Sequence, residues 1–325
     1  MRLVFGLVVA SWLTGCAESA TGEFGSTPEV GPPLTEPGDV FARSTYNWHT
    51  SGIWLPPAVT WAISGIAGRT CQMEFVTGTM TTDLDLGDGT DTVFDGVDFG
   101  GDLGTSVLVD AVGGLSTVAF PATDVTATWD VPGVVDAGLS DLGPVALTAS
   151  ATQQNGCAVE WPAAWGVSQT ISPASCEGIE VDPDGTAFVG GDVIVRARTF
   201  ETTEIGTHAN RLAWNSEDQL LYAAWSDDPV VRALDVDGNL VWQADLGGDV
   251  EGLDDLGHGY VLASVEVDHD ASDIVVLGPD GAEVVRQAVS EVALPVVAAP
   301  DGLTFALIGG GHVDFFGVLA SVFVE

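Results

Sequence analysis

The chain has 325 residues, 46% of them hydrophobic, and a formal net charge of −39 from 47 acidic residues against eight basic ones, all arginine. A surface of that sign repels phosphate backbones and anionic head groups, which excludes nucleic-acid binding and leaves basic partners or divalent cations as compatible ligands. The length allows one large or two ordinary domains with a sizeable core.

Met1-Arg2 is a minimal positive start, and Leu3 to Leu13 is almost wholly apolar. The run has the length of a signal-peptide core and is too short to cross a bilayer as a helix. It ends in Leu13-Thr14-Gly15-Cys16. This segment resembles the lipobox of bacterial lipoproteins, in which a small residue precedes a cysteine that is lipidated and becomes the new N-terminus. The resemblance implies that residues 1–15 are a signal peptide and that Cys16 carries a diacylglycerol thioether and an N-acyl chain such as palmitate. Several acyl chains anchor far more firmly than one. The alternative is an ordinary signal peptide with an incidental cysteine. In Gram-negative lipoproteins an Asp directly after the cysteine commonly holds the protein at the inner membrane. Ala17 and Glu18 stand there instead, so the expectation is an exported protein on the envelope, at the outer membrane. Residues 16–40 are rich in Gly, Pro, Thr, Ser and Glu and read as a flexible tether, kept extended by Pro28, Pro32, Pro33 and Pro37.

Residues 41–172 carry strand-like runs bounded by Gly and Asp: 59–64, 71–80, 105–110, 116–120, 125–129 and 145–150. Their alternation and β-branched content predict an antiparallel β-rich module. Export to an oxidising compartment predicts that cysteines pair. Cys71 and Cys157 sit in similar settings, Thr-Cys-Gln-Met-Glu-Phe and Gly-Cys-Ala-Val-Glu-Trp, and are the preferred pair; Cys157 with Cys176 is the alternative. Asp83, Asp85, Asp88 and Asp91 form the densest acidic cluster, and calcium is the one candidate ion for it. The spacing departs from an EF-hand at Gly87, and a solvated hairpin turn is the competing reading. No organic cofactor is expected.

From residue 173 a turn recurs at Asp184-Gly185, Glu217-Asp218, His258-Gly259 and Asp301-Gly302, spaced by about 40 residues. That interval holds a four-stranded blade of a β-propeller, with units at 175–206, 207–247, 248–290 and 291–325. In the last unit 304–308, 312–316 and 319–324 are the predicted strands. Asp235-Val-Asp-Gly238-Asn-Leu-Val-Trp242 resembles the repeat of pyrroloquinoline-quinone-type propellers, in which an Asp precedes a Gly turn and a Trp packs between blades. Val285 occupies the Trp position of the next unit, and no residue maps onto the family's quinone or calcium ligands, so the resemblance implies the fold alone. The expected architecture is all-β: propeller-like repeats over 173–325 behind a separate module over 41–172. The alternative is one propeller over the whole mature chain.

Gly-x-Ser-x-Gly, His-Glu-x-x-His, Cys-x-x-Cys and phosphate-loop signatures are missing from the sequence. Of the histidines, His49, His208, His258, His269 and His312, three fall near blade turns, where they either line one funnel or are unrelated surface groups. Asp268-His269-Asp270 with Asp273 reads as a solvated turn. The functional expectation is a lipid-anchored envelope protein that binds a protein or glycan partner. The alternative is an exported propeller hydrolase or lyase, with Asp and His converging in its channel as acid, base or metal ligands.

Overall fold

A computed structural model describes residues 41–46, 60–67, 70–77, 80–85, 96–100, 105–109, 114–119, 124–131, 134–149, 157–162, 167–171, 176–198, 201–268, 271–289, 296–298, 304–308 and 313–318. These form 26 strands in seven antiparallel sheets. The first strand, β1 (Phe41–Tyr46), belongs to the last sheet. Blade 1 holds β2 (Thr60–Ala67), β3 (Thr70–Thr77), β4 (Met80–Asp85) and β5 (Gly96–Gly100), with β5 paired to β2. Blade 2 is β6 (Thr105–Val109), β7 (Gly114–Ala119) and β8 (Asp124–Asp130). Blade 3 is β9 (Val134–Ser140), β10 (Gly143–Ala149), β11 (Cys157–Trp161) and β12 (Val167–Ile171). Blade 4 is β13 (Gly178–Val181), β14 (Ala187–Arg198) and β15 (Glu201–Ala209). Blade 5 is β16 (Arg211–Asn215), β17 (Leu220–Ala224), β18 (Val230–Asp235) and β19 (Leu240–Asp245). Blade 6 is β20 (Asp249–Gly257), β21 (Tyr260–Asp268), β22 (Ala271–Leu277) and β23 (Glu283–Val289). Blade 7 is β24 (Val296–Ala298), β25 (Thr304–Ile308) and β26 (Val313–Val318), completed on its outer side by β1.

The sheets close on one another. β5 packs on β6, β6 on β9, β9 on β13, β13 on β16, β16 on β20 and β20 on β24, and β25 returns to β5. This is the radial stacking of a β-propeller. Residues 172/173 fall between blades 3 and 4, which pack on one another through β9 and β13. β1 pairs with β26 from Phe41↔Val318 to Tyr46↔Val313, tying residues near 41 to the last blade. The predicted strand 319–324 lies outside the described residues, and the place beside β26 is taken by β1.

Stacking explains why the central strands are apolar without alternation. Alternate side chains of one strand enter two different interfaces, so both faces are buried. On β17, Leu221 and Ala223 pack towards blade 4 beside Phe188 and Trp214. Tyr222 and Ala224, between them, pack towards blade 6 beside Val250, Val261 and Val265. The core is therefore a series of layers between blades, one joining blade 6 to Phe305, Leu307 and Phe316 of blade 7, another joining Val145, Leu147 and Trp161 of blade 3 to Ile179 and Val189 of blade 4. Trp242 on β19 reaches the next blade, where a Cβ at Gly281 would lie 2.7 Å from its ring, so that position accepts only glycine without displacement.

The recurrent turn follows the innermost strand of each described blade from 3 to 6, and one device caps it. Ser140 Oγ accepts from Leu142 N, Asp182 Oδ1 from Asp184 N, Asn215 Oδ1 from Glu217 N, and Asp255 Oδ1 from Gly257 N. A short polar side chain bonding its own backbone two residues on is what makes such residues turn formers. The disulfide joins Cys157 to Cys176, whose Cα atoms are 6.2 Å apart. This corrects the preferred pairing with Cys71. Cys71 lies on β3 of blade 1, with blade 2 between it and Cys157, whereas Cys176 directly precedes the first strand of the blade stacked on Cys157.

Candidate functional site

The chemistry-bearing side chains gather on the innermost strands. Asp136 on β9 is buried, and its two oxygens accept from Ala137 N at 2.8 Å and from Ile179 N, on β13, at 2.9 Å. Asp254 on β20 repeats the arrangement three blades on. It accepts from Asp255 N and, across the next interface, from Ala298 N on β24, both at 2.7 Å. Each aspartate thus ties two inner strands together. Asp255 accepts from Asn215 Nδ2 at 3.0 Å and from Gly257 N at 3.1 Å. Asn215 is fully buried, and its own oxygen caps the turn at Glu217 and Asp218.

Glu180 on β13 is the fourth buried carboxyl of this group, with 7% of its surface exposed. It stands opposite Phe188 in the β13–β14 register, and Phe188 stacks on Trp214 of β16 with ring centroids 4.5 Å apart. Burial pushes the Glu180 pKa well above the ordinary carboxylate range, and the charges of Asp254, Asp136 and Asp255 push it further. Asp136 is pushed up to about 8 by burial, against the opposing pull of its two backbone N–H donors, Ile179 and Ala137. The indole N–H of Trp214 is buried in the same blade 4–blade 5 interface with no hydrogen-bond partner.

None of these four acids stands out in the sequence as part of a motif. What distinguishes them is an acid inside an apolar strand run, as in Val-Val-Asp136-Ala, Ile-Glu180-Val and Leu-Asp254-Asp255-Leu, rather than beside the glycine of a turn. A buried acid must find donors or become neutral, and both occur here.

The residues singled out from sequence are placed differently. Asp83 and Asp85 lie at the end of β4, and Asp88 and Asp91 lie outside the described residues, as does Cys16. The side chains of Asp83, Asp85 and Cys71 are likewise outside what is described. Among the described residues, no three His, Cys, Asp or Glu side chains are arranged to hold a metal ion. His208 sits on β15, the outer strand of blade 4, edge-on to Trp225. His258 is 85% exposed in side chain at the β20–β21 turn of blade 6, 3.3 Å from Glu217. These two do not converge on the axial acids; His49, His269 and His312 fall outside the described residues. Asp273 belongs to a strand-to-strand pair with Arg286 at 2.8 Å rather than to a free loop.

No family model matches the chain, and no curated protein matches its sequence. Solved structures do match. BBS1N in complex with ARL6DN, soaked with mercury, is 13% identical with a TM-score of 0.57, over 88% of this chain and 99% of that one. The same complex soaked with lead gives 13% and 0.56 over 87% and 98%. BamB from Moraxella catarrhalis is 10% identical with a TM-score of 0.48 over 80% and 82%. The likeness is one of fold.

Proposed function

We propose that this chain is a lipid-anchored protein of the bacterial envelope whose propeller holds a protein partner. The observation that carries the reading is the fold likeness to BBS1N, which extends over 88% of this chain to a protein crystallised in complex with ARL6DN. A rigid stack of sheets exposes loops and outer strands around its rim while its core lies between blades, which suits a scaffold. The lipobox residues Leu13-Thr14-Gly15-Cys16 and the tether to residue 40 supply the anchor and the spacer, and Ala17-Glu18 favour the outer membrane. Asp136 and Asp254 bind backbone donors of neighbouring blades, which is structural work, and the described histidines lie apart from them.

The test has two arms. Full-length protein is labelled with palmitate and partitioned into detergent, with Cys16→Ser beside it; the parent is labelled and partitions with detergent, and the variant does neither. Intact envelopes are then cross-linked and solubilised. A stoichiometric complex containing this chain is expected. A chain that stays monomeric at native abundance, or a Cys16→Ser protein that partitions like the parent, removes the corresponding half of the reading.

A further inference from the structure

Four buried carboxyls lie on the inner strands, and three of them are satisfied. Asp136, Asp254 and Asp255 each accept two N–H donors from the protein. Glu180 receives none from any described residue, although it is more than nine-tenths buried and close enough to all three to feel their charge. A carboxyl in such a place ordinarily finds a cation or several donors.

Among the described residues no basic side chain acts on it. The chain has no lysine, and the five arginines whose side chains are described are engaged elsewhere. Arg196 bonds Val236 and Asp237, Arg198 bonds Thr186, and Arg211 bonds Glu251. Arg232 pairs with Asp228, and Arg286 with Asp273 and Glu283. A bare metal ion does not suit the place either. Such ions demand closely convergent oxygens, and the described acids offer no such group. An organic cation carries its own N–H donors outward from the charge and reaches carboxyls that are farther apart.

We propose that Glu180 is the receptor for one ammonium or guanidinium group presented by a basic side chain of the partner. The inference rests on the partner-binding reading and names the chemistry of that partner's contact. Unliganded, Glu180 has its pKa pushed well above the ordinary carboxylate range by burial and then by Asp254, Asp136 and Asp255, with no basic group among the described residues that act on it. Docking of the cation forms the ion pair, and the carboxyl proton leaves to solvent. One proton is released for each cation bound.

The experiment titrates the detergent-solubilised full chain with acetyl-arginine amide, and with acetyl-citrulline amide as the neutral isostere, in two buffers of different ionisation heat at neutral pH. The arginine probe is expected to bind at least about tenfold more tightly than citrulline, since a charge-assisted bond is worth that factor or more. It should release one proton, and Glu180→Gln should abolish both the preference and the release. Asp237→Asn, at an exposed surface pair, should change neither. Equal binding of the two probes, binding without proton release, or an unchanged preference in Glu180→Gln overturns the proposal. Cross-linking of the Glu180→Gln chain in envelopes separates the two readings. A partner complex that forms undiminished overturns the Glu180 site and leaves partner binding standing. Probe binding with proton release, in a chain that shows no partner complex, upholds the site and removes the partner.

Discussion

At the scale of single residues, the protonation of the inner-strand acids makes stability depend on pH in a stated direction. Asp136 titrates near 8 in the folded protein against an ordinary value of 3.8. The folded state therefore holds a proton that the unfolded chain has lost. Its favourable contribution is complete below the unfolded value and disappears as pH rises towards 8. Glu180, raised for the same reason, adds a contribution of the same sign. Stability should fall between about pH 4 and pH 8, at up to about 1.4 kcal/mol per pH unit for each group. Urea midpoints measured across that range would give the slope, and Asp136→Asn should flatten it. A midpoint that rises through the window contradicts the assignment.

At the scale of the element, turns rather than strands set the tolerance to substitution. The β18–β19 turn is held by Asp235, which accepts from Asp237 N, Asn239 N and Asn239 Nδ2. Gly238 in that turn has φ +85°, and a Cβ there would lie 1.9 Å from the Ile205 carbonyl oxygen of the preceding blade. Gly247, between β19 and β20, has φ +75° and nothing within 4 Å of the same position. The pair separates backbone strain from contact. Gly247→Ala should cost about 1 kcal/mol for the left-handed backbone alone. Gly238→Ala should cost about 3 kcal/mol, because Ile205 or the turn must also move. Denaturation midpoints of the two variants decide it, and equal losses would mean that the blades do not meet where the turn places them. Blades are also tied by side chains. Arg211 of blade 5 donates to the Glu251 carbonyl at 2.7 Å and to its carboxylate at 3.2 Å, and the Cys157–Cys176 disulfide joins blade 3 to the segment leading into blade 4.

At the scale of the molecule, the ring is closed by a strand from the far end of the chain. Removing residues 41–46 leaves β26 with an unpaired edge on blade 7. An open sheet edge recruits other strands, so the truncated protein should aggregate. Its melting midpoint should drop by about 10 °C or more, as a loss of several kcal/mol does in a chain of this size. Size-exclusion chromatography and a thermal melt test both, and a monodisperse protein with an unchanged midpoint would show that β1 does not close the ring.

Much of this architecture was present in local sequence. The runs at 105–110, 116–120, 125–129 and 145–150 coincide with β6, β7, β8 and β10, and the turns at 184–185, 217–218 and 258–259 each follow an innermost strand. Local spacing suffices there, because a strand ends where Asp, Asn, Ser or Gly can bond or bend its own backbone within a few residues. Sequence alone also set the overall charge and the absence of lysine. Three matters were decided only by the tertiary structure: that β1 completes blade 7, that Cys157 meets Cys176 rather than Cys71, and that Asp136, Asp254 and Asp255 act on Glu180. Each joins groups that no single strand contains, and the acids and β1 join groups at least a blade apart in the chain. No period within a strand encodes which blade will lie beside which. That order comes from burying both faces of every sheet, which succeeds only when the sheets stack around one axis.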